Sequence, residues 1–67
     1  MENNEKRFLA FEQMLNFVIT SYADTESRMK RLKAEGKEKT ATYRQLMGNK
    51  LQYQNILSLY KIYGLTD

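Results

Sequence analysis

The stretch 43–65, YRQLMGNKLQYQNILSLYKIYGL, constrains this chain most, because its apolar residues cover more of a helix than one neighbouring helix can hide. At about 100° per residue, Tyr43, Leu46, Tyr53, Ile56, Leu57, Tyr60 and Tyr63 gather on one broad face. Met47, Leu51, Ser58 and Ile62 fall on a second, narrower stripe with Asn55 beside them, and Lys50, Gln54 and Lys61 separate the two on one side. A surface helix of a monomeric domain usually shows one apolar stripe and a polar back. Two stripes place this helix at the centre of an assembly. Its ends are marked as well. Gly64 sits where a left-handed C′ residue belongs, and Leu65 at C″ can fold back onto Tyr60. Thr42 and Gln45 match the capping-box spacing, so the helix is expected over about 42–63. Gly48 in its interior costs about 1 kcal/mol against Ala and marks either a bend or a close approach.

The first half carries its own pattern. Phe8, Phe11, Leu15, Val18, Tyr22, Thr25, Met29 and Leu32 follow each other at alternating spacings of three and four, the signature of a coiled-coil-like helix. Met14 and Ile19 widen this stripe, and Phe17 lies off it. The weakest point is 19–25, where β-branched residues, Ser21 and Asp24 lower helix propensity. Asp24 has the chemistry to cap a separate helix there. Since the stripe keeps its register across the weak point, one helix over about 5–35 is expected. Residues 1–4 read as a frayed start with Asn3 or Asn4 available as N-cap. Gly36 stops the helix, and a basic connection over 36–41 turns the chain back; 65–67 form a tail. The fold class is all-α: an antiparallel two-helix hairpin in a single domain, 1–67.

Lengths then turn this hairpin into an interaction problem. The first helix spans about 46 Å and the second about 33 Å, at a rise of about 1.5 Å per residue. Folded back, the second runs out near Met14 and leaves Phe8, Leu9 and Phe11 without a partner in the same chain. Exposed clusters of this kind mark interaction surfaces. At 67 residues, the chain also needs help beyond a small core, and with neither Cys nor His it has no disulfide and no ordinary zinc site to supply it. Association remains. Phe8, Phe11, Met47, Leu51 and Ile62 are therefore the expected oligomer interface, completing a homodimeric four-helix bundle.

The residue inventory points away from catalysis. Without His or Cys there is no Ser–His or Cys–His nucleophile. No Gly-rich loop resembles a phosphate cradle. Glu12 and Glu26 lie four helical turns apart, and no Glu-x-x-His motif accompanies them. Asp24 and Glu26 read as solvated surface charges, and the five Tyr as half-buried residues with hydroxyls at the rim. No enzyme activity, cofactor or metal is expected.

Charge is uneven. The net value is +3, but residues 12–27 carry −3 and residues 28–39 carry +4. Arg28, Lys30, Arg31, Lys33, Lys37 and Lys39 gather at the hairpin tip, spread around the helix and not aligned on one face. The simplest role is a solvated tip complementing the negative helix C-terminus. The alternative is contact with an anion or nucleic acid, although no DNA- or RNA-binding fingerprint is visible. No stretch reaches the roughly 18 apolar residues of a membrane span, and the start of the chain lacks a signal-peptide core. A cytoplasmic protein with no membrane partner is expected. The functional expectation is a small interaction module, an adaptor or regulatory protein, with a nucleic-acid-binding accessory protein as the alternative.

Overall fold

The three-four spacing of the first half becomes one unbroken helix, α1 (Glu2–Ala34), and the two-striped stretch becomes α2 (Ala41–Ile62). The structure, a computed structural model, describes residues 2–65. Phe11 meets Tyr60, Tyr22 meets Gln54 and Glu26 meets Lys50, so the partners on α2 run backwards as those on α1 advance. The helices are antiparallel, as expected.

α1 keeps its register through the weak stretch because the stripe is anchored on both sides of it. Leu15, Val18, Thr25 and Met29 are buried, and Phe11, Tyr22 and Leu32 are half-buried. Asp24 starts no new helix. It points outward and accepts from Arg28 one turn on, at 3.0 Å. On α2, Tyr60 is buried, and Tyr43, Leu46, Tyr53, Ile56 and Leu57 are half-buried, which is the broad face read from the sequence. Tyr63 departs from it. It is the C-cap residue, and it is exposed because the helix has already ended.

Both helices stop by the same device. Gly36 and Gly64 take φ of 73° and 72°, the left-handed conformation that costs a Cβ-bearing residue about 1–2 kcal/mol. After α1, the Lys37 amide donates to Leu32 O at 2.8 Å and the Gly36 amide to Lys33 O at 3.0 Å. After α2, the Leu65 amide donates to Tyr60 O at 2.8 Å and the Gly64 amide to Lys61 O at 3.0 Å. These are two Schellman motifs, each satisfying carbonyls that the helix itself leaves open. Thr66 and Asp67, the rest of the expected tail, lie outside the described residues, as does Met1.

Two sequence-based boundaries are corrected. The N-cap of α2 is Thr40, not Thr42. Thr40 is extended (φ −80°, ψ 157°), and its Oγ1 accepts from the Tyr43 amide at 3.2 Å while donating to Lys37 O at 2.8 Å. One hydroxyl thus closes the connection and opens the helix together. Thr42 matches the capping-box spacing but lies inside the first turn, where it has no such carbonyl to tie down. At the other end, α1 already includes Glu2, so positions 3 and 4 fall within the helix backbone and not at its N-cap.

Candidate functional site

The hairpin encloses little. Among the described residues no side chain is more than 98% buried, and the extents are 52 × 20 × 17 Å. Its Cα radius of gyration is 15.2 Å, where a compact domain of this length has about 11 Å. A rod of this kind must leave apolar residues outside. Three exposed regions stand out, two of them apolar and one basic.

The first is the outer stripe of α2. Met47, Leu51 and Ile62 are exposed, Leu51 at 53% and Ile62 at 75%. The stripe is centred roughly 130° around the helix from the packed face, so α1 cannot reach it. Ile19 of α1 is exposed on the same side of the hairpin, beyond the edge where Glu26 and Lys50 approach to 4.0 Å and Gln54 Nε2 donates to the Tyr22 hydroxyl at 2.9 Å. These two polar contacts fix which residues of α1 and α2 lie level with each other.

The second is the open end. Phe8 and Leu9 project unpaired, Phe8 being 63% exposed. Phe11 does not project with them. Its ring meets that of Tyr60 edge-on, with centroids 5.0 Å apart and planes at 82°, the T-shaped geometry that aromatic quadrupoles favour. The expected overhang therefore begins one turn earlier. α2 reaches farther than its length alone implies because Tyr60 is long and the Schellman turn folds Leu65 back beside it. Around this aromatic pair, Met14, Ile56, Leu59, Tyr63 and Leu65 line an open apolar groove of about 330 Å³. Residue spacing alone does not assemble this groove. Its signals were Leu65 at C″ and Met14 at the margin of the stripe. The Tyr60 hydroxyl is buried with no hydrogen-bond partner among the described residues.

The third is the basic tip. Arg28 is held by Asp24, and Lys37 approaches Glu35 at 4.0 Å. Among the described residues, Lys30, Arg31, Lys33 and Lys39 have no acidic partner within ion-pair distance, and all are exposed. They do not converge on one point.

Among the described residues no group of acidic side chains is arranged to hold a metal ion, and no helix is long and apolar enough to cross a membrane. No protein-family model, no curated protein and no solved structure matches the chain.

Proposed function

We propose that this chain is a small helical protein–protein interaction module that pairs with a second copy to complete a four-helix bundle, in an adaptor or regulatory role without catalysis. The observation that carries this reading is the outer stripe. With its inner face already against α1, α2 still presents Met47, Leu51 and Ile62 to water on one side. Exposed area points the same way. The chain leaves 5699 Å² accessible, whereas a compact monomer of 8.0 kDa exposes about 4,450 Å². The difference of about 1,200 Å² exceeds the roughly 800 Å² that each partner contributes to a standard interface. In this reading the end groove is left over for a different protein.

Sedimentation across a micromolar dilution series tests the pairing, with helicity followed in parallel. Mass should fall from dimer to monomer on dilution, and helicity should fall with it. A fully helical monomer at the highest concentration would overturn the reading.

A second reading rests on the four unpaired cations of the tip: a nucleic-acid-binding accessory protein acting through Arg28, Lys30, Arg31, Lys33, Lys37 and Lys39. Four released counterions would weaken binding about 100-fold between 50 and 200 mM salt, on the order of the slope expected for phosphate contacts. No binding to DNA or RNA at low salt removes it.

A further inference from the structure

We propose that the second copy lies antiparallel across the side of the hairpin that carries Ile19, Met47 and Leu51, with the two-fold axis passing near Ile19 and Ser58. This rests on the dimer reading above and specifies its geometry. Along that side α1 presents Glu5, Glu12, Ile19, Glu26 and Lys33, five residues at seven-residue spacing that share one edge beside the core stripe. The edge is acidic at the open end and ends at the tip in Lys33, with Lys30 beside it. Glu26, the exception, is already beside Lys50.

The Glu26–Lys50 and Tyr22–Gln54 contacts set the levels. On that ladder Met47 lies level with Met29, Leu51 with Thr25, Ser58 with Val18 and Ile62 with Met14. Reversing a second copy about Ile19 brings its Leu51 to within one residue of the level of Ile62, and its Met47 to the level of Leu9, beside Phe8 and past the end of α2. Ser58 then meets Ser58, a small side chain at the closest approach. The same reversal sets Lys33 against Glu5, and sets Glu12 against the partner's Glu26, whose charge Lys50 already offsets at 4.0 Å. Each exposed apolar residue of the side gains an apolar neighbour, and acid meets base at both ends. A parallel pairing does neither, since it stacks the two basic tips together. Among the described residues nothing covers Phe8, and α1 is continuous and does not fold back over it. A two-fold interface is isologous, so each contact occurs twice.

In the antiparallel arrangement α1 lies over the partner's α1 and α2 over the partner's α2; in a parallel one, α1 lies over the partner's α2. Since the chain has no Cys, single introduced thiols report this directly. With a short thiol cross-linker, Ile19→Cys alone and Ser58→Cys alone should each give a covalent dimer. If only a mixture of the two variants cross-links, the pairing is parallel and the proposal is overturned. If neither cross-links although sedimentation shows a dimer, the face is wrong, yet the dimer reading stands. A monomer at every concentration defeats both. Charge exchange gives a second measurement that leaves the core untouched. Lys33→Glu should weaken the dimer about fivefold, the scale of rim charge pairs. Glu5→Lys combined with Lys33→Glu should restore it, and failure to restore overturns the register.

Discussion

The two stripes of α2 are similar in composition and opposite in circumstance. The inner one, from Tyr43 to Tyr60, is covered by α1 and defines the hairpin; the outer one, Met47, Leu51 and Ile62, is exposed and covered by nothing among the described residues. The difference shows that apolar content does not by itself make a core. Phase relative to the partner helix decides, and that phase is set by the side-chain stripe of α1. Inner-stripe changes should therefore be read in folding, and outer-stripe changes in association.

The largest effect is expected inside. Leu15→Ala removes a buried side chain from the seam between the helices and should cost about 2 to 4 kcal/mol of stability in denaturant unfolding. A loss below about 0.5 kcal/mol would mean that Leu15 behaves as a surface residue, and the distinction between the stripes would fail.

Leu51→Glu makes the matching change outside. The carboxylate remains in water if the hairpin is alone, so the helix pair should persist. Buried in an apolar interface it costs several kcal/mol, and dimer affinity should fall by at least about 100-fold. Sedimentation at fixed concentration reads this directly. Unchanged mass and melting would make the outer stripe ordinary surface.

How far these stripes were legible follows from what each depends on. Helix one could be read through its weak stretch because side-chain periodicity is a local property, and the buried Thr25 keeps the beat where propensity falters. Both glycine stops were equally visible, since the left-handed conformation belongs to single residues. The axial register was visible only coarsely: the second helix is expected to run out near Met14, and Ile62 lies at that level, but which side chains meet was not. It depends on how the connection closes, and there two threonines compete. The capping-box pattern favours Thr42, but the bond from Thr40 to Lys37 O depends on a loop conformation that spacing alone does not encode. The contacts that rest on register, Phe11 with Tyr60 and Glu26 with Lys50, were missed for the same reason. So was the end groove, which needs Leu65 and Met14 at one level.

That competition can be measured, and it sharpens the comparison by asking what fixes the first turn of both stripes. Thr40→Ala should cost about 1 kcal/mol, the usual loss of a Thr N-cap. Thr42→Ala should stay within about 0.5 kcal/mol, since its side chain is exposed and caps nothing. Equal losses from thermal unfolding would return the cap to Thr42.

The smallest expected effect lies at the inner stripe's deepest member. Tyr60 is only 5% exposed, and its hydroxyl is buried without a partner among the described residues. A hydroxyl taken from water and left unpaired is unfavourable by about 1–3 kcal/mol, and removing it relieves that cost. Tyr60→Phe keeps the ring that meets Phe11 edge-on, so the aromatic contact should survive. Stability measured at concentrations where the chain is monomeric should stay constant or rise by up to about 1 kcal/mol. The same substitution measured in the dimer separates the two stripes once more. If the hydroxyl is enclosed by the hairpin alone, dimer affinity should not change. If affinity falls by about tenfold, a group on the second copy hydrogen-bonds that hydroxyl, and the buried inner stripe would take part in the very interface from which the comparison excludes it.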